Sequence, residues 1–526
     1  MRILISDALG RACVDILAGE GFDVVDAPGM PADRLLNEID GFDGLVVRSA
    51  TRVTGAVIER GRTLKVIGRA GTGVDNIDVD AATRRGVLVM NTPGGNTIST
   101  AEHSVSMLLA LARNIPQAHL SVTRGEWEKK KFVGAEVYAK TAGVIGLGKV
   151  GREVALRLSA FGMTVLGYDP LLGPGGLEKL PVEVVSLDDL FRRSDFITVH
   201  TPLTAETRGL LNDRTIARCK KGVRLINCAR GGIIDEAALL KALESGQVAG
   251  AALDVFVAEP PAGNPLLAHP RVIATPHLGA STEEAQDKVA VQIAEQIADA
   301  LKGRGFSGVV NSSAVQYSMR ADVRPSLRLA ELMGRFVGQM IGGPLAPFAW
   351  SASGSVAAEQ SEVLKAGFLT GLLSPLLSGP VNLISAPLLA RERGVVLNEH
   401  ADTEGDRFDH LLRVRYSAGG TTHEVAGAVF GTDTVRFVGL DGFRFDVRPE
   451  GTLLVYRNVD RPGILARVGS ILAAHGVNIA GVALGRAAMG GNALTVMNID
   501  GDIPEQALQE LRALEAVTDL RVVALP

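Results

Sequence analysis

The stretch Lys140–Asp169, KTAGVIGLGKVGREVALRLSAFGMTVLGYD, decides how the chain is read. A short apolar run leads into Gly146-Leu147-Gly148-Lys149-Val150-Gly151 and then into residues with helical spacing. A second apolar run, MTVLGY, closes on Asp169. The order is strand, glycine turn, helix, strand. The first glycine serves the tight turn, the second lets a pyrophosphate approach the backbone, and the third permits close packing of helix on strand. The helix N-terminus then offers free N–H groups to phosphate. A glycine triplet alone is a weak signal, but here strand, helix and acid stand in register. Asp169 lies 18 residues beyond Gly151, where a carboxylate binds the ribose hydroxyls and repels a 2′-phosphate. A dinucleotide site that prefers NAD to NADP is expected.

On either side, apolar runs alternate with helical periods. Upstream these are RILIS, FDVVD, GLVVRS, KVIGRA and GVLVMNT; downstream, FITVHTP, VRLINCARGG, GAALDVF and VIATPHLG. Strands separated by helices indicate βαβ units and parallel sheets, so the fold class is α/β with two flavodoxin- or Rossmann-like domains. A long helical segment, TISTAEHSVSMLLALARNIPQ, joins the two series, and STEEAQDKVAVQIAEQIADALKG would return the chain towards the first. The Gly- and Ser-rich stretch GRGFSGVVNSS reads as a linker. From about 313 to 450 helical runs mix with short strands, and no chemical motif stands out. The last 75 residues read as βαββαβ, a ferredoxin-like unit.

Length and composition agree. The 526 residues suggest about three or four domains at roughly 150 residues each. With 54 Lys plus Arg against 58 Asp plus Glu, and a pI near 6.2, a globally basic nucleic-acid binder and an acidic disordered tail are both excluded. Three cysteines, Cys13, Cys219 and Cys228, cannot staple a chain this long, so a reducing compartment, the cytoplasm, is expected. MRILISDALGRACVDIL does not read as an export signal, and the apolar run SVSMLLALA ends at Arg113, too short to span a membrane.

Three strand ends downstream of the glycine turn each deliver a polar residue: Arg230 in NCARGG, Glu259 in DVFVAEPP and His277 in TPHLGAS. Parallel sheets build their sites at the carboxyl ends of strands. Hydride transfer to or from a hydroxyl-bearing carbon needs a proton acceptor, for which histidine is best tuned near neutral pH. A carboxylate beside the imidazole orients it, which suits Glu259. A guanidinium grips a substrate carboxylate bidentately, which suits Arg230. Singly, each residue has an ordinary reading, as a packing histidine, a turn acid or a loop anchor. Together, downstream of a dinucleotide turn, they point to catalysis. Arg48 and Arg69 end two strands of the first series and suit a substrate with both carboxylate and phosphate. No His or Cys cluster has metal-ligand spacing, so no metal is expected.

The glycine turn, NCARGGIIDE, ALDVFVAEPP and TPHLGAST together resemble the D-isomer-specific 2-hydroxyacid dehydrogenases. VRSATRVTGAVIE and LKVIGRAGTGVDNIDVDAATRRGVLVMNTPGGNT resemble the phosphoglycerate-oxidising branch of that family. The resemblance implies a discontinuous substrate domain (1–95 and 278–310) around an inserted NAD domain (96–277). It implies Arg230 as substrate anchor, Glu259 as histidine partner and His277 as acid/base. Thr72, Gly146, Gly148, Lys149, Val150, Gly151, Asp169, Thr201, Cys228, Ala229, Asp254 and Gly279 would line the NAD site, and Arg48 and Arg69 would grip 3-phosphoglycerate. The basic run Lys129–Lys131 reads more readily as a solvated face than as a contact with a neighbouring subunit's cleft.

Two further modules carry resemblances. GPVNLISAPLLARERG resembles the intervening domain of the long-form enzymes (313–450), where Arg436 and Arg448 are candidate anion contacts, although a solvated strand face is the readier reading of both. NVDRPGILARVGSILAAHGVNI resembles the ACT amino-acid-sensing module (452–526), with Asp460 and Asn478 as candidate L-serine ligands. Such modules bind at dimer interfaces, so a homodimer or homotetramer is implied. Two other readings stay open: a relative acting on another 2-hydroxyacid, and an NAD-sensing regulator without turnover.

Overall fold

In the computed structural model five short strands rich in Val, Ile and Leu form the first sheet: β1 (Arg2–Ile5), β2 (Asp23–Asp26), β3 (Gly44–Val47), β4 (Val66–Arg69) and β5 (Leu88–Asn91). The structure describes residues 1–172, 180–343, 345, 347–353, 355–400, 408 and 410–526, with the side chains of 355–359 left aside. All pairings in this sheet are parallel, in the order β2-β1-β3-β4-β5. Parallel sheets are covered on both faces, which explains continuous rather than alternating apolar runs. Ile3, Ile5, Val46 and Val66 pack under the helix Glu283–Leu301, while Leu4, Leu45, Val47 and Ile67 line the other core. That helix is the one expected to return to the first series. It starts on Thr282, whose Oγ accepts from the Ala285 N–H, with Glu283 and Glu284 in the first turn.

The second sheet holds β6 (Thr141–Ile145), β7 (Thr164–Tyr168), β8 (Glu183–Val184), β9 (Phe196–Val199), β10 (Val223–Asn227), β11 (Val248–Leu253) and β12 (Val272–Ala274). Its order is β12-β11-β10-β9-β6-β7-β8, again parallel. Strand order reverses at β6, so the crevice for a dinucleotide lies at the carboxyl ends of β6 and β9.

The joining segment differs from its reading as one helix. The helix Thr97–Arg113 stops at Asn114, which takes φ 53, and a new helix runs Ile115–Thr123. Pro116 sits in the first turn of the second helix, where its missing N–H goes unused. The presumed linker also differs. Val309 bridges antiparallel to Met90, the Val310 N–H donates to Val89, and Asn311 bonds both Val87 and Val89. The stretch is a strap on the edge of β5. Backbone bonds and the Asn311 side chain hold it, and its Gly/Ser composition gives no hint of them.

The third sheet is mixed: β13 (Phe348–Ser353), β14 (Leu397–Glu399), β15 (Leu411–Ala418), β16 (Thr421–Phe430), β17 (Thr434–Leu440) and β18 (Phe443–Val447), in the order β14-β13-β15-β16-β17-β18. It packs on the helices Arg324–Met340 and Ser355–Leu373. The fourth sheet is antiparallel, with β19 (Gly451–Val459), β20 (Asn478–Arg486), β21 (Asn492–Asp500) and β22 (Val517–Leu525) in the order β20-β21-β19-β22. Its helices Ile464–Ala474 and Glu505–Arg512 cover one face. The other face shares a core with the third sheet through Leu453, Val455, Leu494 and Val496. Gln339 bonds both the N–H and the carbonyl of Ala524. Among the described residues no helix is long and apolar enough to cross a membrane.

Candidate active site

The glycine turn is built as its sequence requires. Gly146 takes φ 92, and a side chain there would meet the His200 carbonyl at 2.6 Å. A Cβ on Gly151 would stand 1.9 Å from the Gly146 carbonyl, so the helix Lys149–Ala160 reaches the turn only because nothing projects there. At Gly148 the space is open. Asp169 follows β7 directly, accepting from the Leu147 N–H at 2.9 Å and the Leu171 N–H at 3.0 Å. A carboxylate has lone pairs left for two hydroxyls. Thr201 holds a buried hydroxyl without a partner, its methyl against the turn. Open cradle, strand-end acid and unpartnered hydroxyl together fit an NAD pyrophosphate and ribose. Lys149 reaches back to the Pro93 carbonyl at 3.3 Å, Val150 packs on the core behind the turn, and Thr72 bonds Asn96 at 2.8 Å.

The later strand ends converge. His277, after β12, has φ 57, and its Nδ1 lies 2.8 Å from the Glu259 carboxylate. Burial pushes that carboxyl up, but the bonds from His277 and the Phe256 N–H, with the imidazole's charge, outweigh it and hold Glu259 below its ordinary value. A cleft of about 420 Å³ lined by Asp254, Phe256, Glu259, Pro260 and His277 flanks the pair. Arg230 sits just beyond β10, where Asn227 ties down its carbonyl and the Ala229 N–H. Its guanidinium crosses to the first domain and meets Asp75 at 3.0 Å.

Two guanidiniums lie on the glycines of the Gly71-Thr72-Gly73 turn. A Cβ on Gly71 would stand 1.6 Å from Arg69, and one on Gly73 would stand 1.9 Å from Arg230. Burial, then the charges of Arg230 and Arg48, push Arg69 down to about 10. Arg48 bonds the Ala8 carbonyl and Gln286. The structure thus brings Arg69 and Arg230 onto one turn, with Arg48 close enough for its charge to act on Arg69.

Asp254, just after β11, is wholly buried. Its Oδ1 accepts from Thr275 at 2.6 Å, the Leu278 N–H at 2.7 Å and His103 at 3.1 Å; its Oδ2 accepts from the Gly279 N–H at 2.9 Å. Burial pushes this carboxyl up, and the bonds from His103, Thr275 and Leu278 bring it below the ordinary value. His103, Cys228 and Asp254 place ligand atoms within 4.8 Å of one another, a grouping that sequence spacing does not disclose. The carboxylate is already fully engaged. Burial, with Asp254 adding to it, pushes the Cys228 thiol up to about 12, so the group is a hydrogen-bonded hub.

Other expected residues do not come together. Asp460 accepts from Arg486 and the Gly490 N–H, while Asn478 donates to Asp500 at 2.7 Å. They sit at opposite ends of β21, which pairs Val459 with Asn492 and Asn478 with Asp500, so one chain alone does not join them. Arg436 pairs with Asp446 and Arg448 with Glu450, on the wall of a cavity of about 600 Å³ shared with β20 and β21. Lys129–Lys131 lie on an exposed arm, with Lys129 over Trp127 and Lys131 paired to Glu128.

Sequence reasoning misses Asp75, Asn227 and His103. Asp75 and Asn227 stand inside quoted motifs, in GTGVDN and NCARGG. His103 stands in a helical run where only the fold reveals its partner.

Residues 105–279 match the family model of the D-isomer specific 2-hydroxyacid dehydrogenase NAD binding domain. Residues 322–441 match the D-3-phosphoglycerate dehydrogenase intervening domain, and residues 452–516 match the ACT domain. The chain is 41% identical over 526 residues to the D-3-phosphoglycerate dehydrogenase of Methanocaldococcus jannaschii and 42% identical over 526 to that of Bacillus subtilis. Both alignments cover 100% of each chain. The NAD-dependent formate dehydrogenase of Staphylococcus aureus, solved in complex with NAD, superposes with a TM-score of 0.54 at 31% identity, covering 59% of this chain and 99% of its own. Matched from end to end by such relatives, the chain belongs to the D-3-phosphoglycerate dehydrogenase family, with an NAD-binding domain of the D-isomer-specific 2-hydroxyacid dehydrogenase type.

Proposed function

We propose that this chain oxidises the 2-hydroxyl of 3-phospho-D-glycerate to 3-phosphooxypyruvate with NAD, the first step of a phosphorylated route to L-serine. One observation carries the reading: a histidine–carboxylate pair at 2.8 Å follows the strand ends of the same sheet as a glycine turn fit for NAD, and Arg230 of that sheet reaches the turn on which Arg69 lies. Arg230 holds the substrate carboxylate beside the reacting carbon, and Arg48 and Arg69 neutralise the remaining charge. His277, through Nε2, takes the hydroxyl proton, while Glu259 at Nδ1 fixes the ring and stabilises the imidazolium that forms. Bound NAD would supply the acceptor for the hydride that leaves C2. Asp169 would take the ribose hydroxyls, and Gly146, Gly148 and Gly151 would clear the pyrophosphate's approach.

The regulatory part follows from the ACT domain. Asp460 of one chain and Asn478 of another would together bind L-serine, which requires a homodimer or homotetramer. The exposed arm carrying Trp127, Val133 and Tyr138 supports assembly, since isolated apolar arms of this kind are covered in oligomers. Three buried free cysteines accord with a cytoplasmic location.

The test is NADH formation from 3-phosphoglycerate and NAD. Turnover is expected with 3-phosphoglycerate and far less with D-lactate. NADH binding without turnover on either would make the chain a sensor, and equal turnover on both would remove the role given to the three arginines.

A further inference from the structure

The helix Thr97–Arg113 presents Ser99, Thr100 and His103 towards the turn that bears His277, and all three reach that turn or its supports. Ser99 and Thr100 donate their hydroxyls to the Gly279 carbonyl at 2.8 and 3.1 Å. His103 Nε2 lies 3.1 Å from Asp254 and 3.3 Å from the Thr275 hydroxyl. A carboxylate only accepts, so the imidazole proton facing it is on Nε2. Asp254 in turn holds the two N–H groups that follow His277 in the chain, and its carbonyl accepts the N–H of His277 itself. The groups facing His103 are therefore Asp254, Thr275 and, in the same cluster, Cys228.

This arrangement brackets a strained residue. A non-glycine residue at φ 57 persists only where its neighbours over-determine it. Removing the imidazole leaves the buried Asp254 carboxylate without its one cationic-capable partner in the hub. The carboxylate then rests on the Thr275 hydroxyl and the Leu278 and Gly279 N–H groups alone, and its hold on that turn is weakened.

We propose that His103 is a positioning residue for the reaction: through Asp254 it keeps the His277 turn in its left-handed conformation, so that the ring stays against Glu259 and faces the substrate. The inference rests on the dehydrogenase reading above, and wild-type turnover tests that reading separately.

The experiment compares His103→Leu, His103→Gln and Thr275→Val, with active sites counted by NADH titration. Per site, His103→Leu is expected to lower kcat on the order of ten- to a hundredfold, since small misplacements of a catalytic group have that effect. KM for 3-phosphoglycerate should stay within about threefold, a marker that positioning rather than substrate binding is lost. The isotope effect with substrate deuterated at C2 should rise, because hydride transfer becomes the slower step. His103→Gln keeps an N–H donor and is expected to recover most of the rate. Thr275→Val, nearly the same shape, should show the same change more weakly, and it decides the matter if His103→Leu does not fold. Wild-type kcat per site in the folded variants, or a loss that glutamine does not recover, overturns the proposal while leaving the dehydrogenase reading intact.

Discussion

Under Gly71 a guanidinium is packed with its Nε buried and unpartnered, facing the like charges of Arg48 and Arg230. Asp75 and Asp7 offset these charges without reversing the effect on Arg69, so an entering anion is favoured. Arg69→Met keeps the length and removes the charge. It is expected to raise KM for 3-phosphoglycerate about a hundredfold, the worth of a charged hydrogen-bonded contact near 3 kcal/mol. The ligand-free protein should melt no lower than wild type, because the substitution relieves repulsion. A lower melting point with unchanged KM would assign Arg69 to structure alone. The placing of Arg230, Glu259 and His277 at one end of the second sheet is legible in the sequence, because each follows a strand that the apolar pattern marks. Asp75 and His103 are less legible. One acts across the interdomain cleft on Arg230, the other through a buried carboxylate, and neither relation leaves a local spacing to read.

Among elements, the helices Arg324–Met340 and Ser355–Leu373 approach until their backbones touch. A Cβ on Gly371 would stand 1.9 Å from the Glu331 carbonyl, and one on Gly334 would stand 2.0 Å from that of Phe368. Glycine weakens a helix, so its presence here marks the crossing. Gly371→Ala should gain helix propensity yet destabilise the intervening domain by about 1–3 kcal/mol, as overpacking does. Denaturant melts would show it, and an unchanged or higher stability would mean the crossing is looser than described. The strands and helices of the first two sheets follow the apolar periods closely, because burial on both faces writes itself into composition. The strap at 303–313 and the break at Asn114 do not. The first is held by backbone bonds and one asparagine, and the second is made by a single left-handed residue.

For the whole molecule, the arm from Ile115 to Tyr138 leaves Trp127 75% and Tyr138 71% exposed. An assembly that covers this arm should come apart in Trp127→Glu, seen as a fall in mass by light scattering. A wild-type protomer, or a variant of unchanged mass, would contradict this. The motif GPVNLISAPLLARERG, which resemblance places but residue chemistry does not explain, lies at a domain junction. Asn382 bonds the Gly86 carbonyl at 2.9 Å and caps Ile384 and Ser385, and Glu392 meets Arg84 at 2.8 Å. The succession of the sheets follows the apolar pattern of the chain, while the contacts that join them appear only once it is folded. The most direct measurement of the central claim is the rate of NADH formation from 3-phosphoglycerate by His277→Ala, beside a fluorescence titration of NADH on the same sample. Loss of turnover by a factor on the order of a thousand or more, with NADH binding retained, is predicted from the role of a general base. Turnover close to wild type with the cofactor bound would contradict the account.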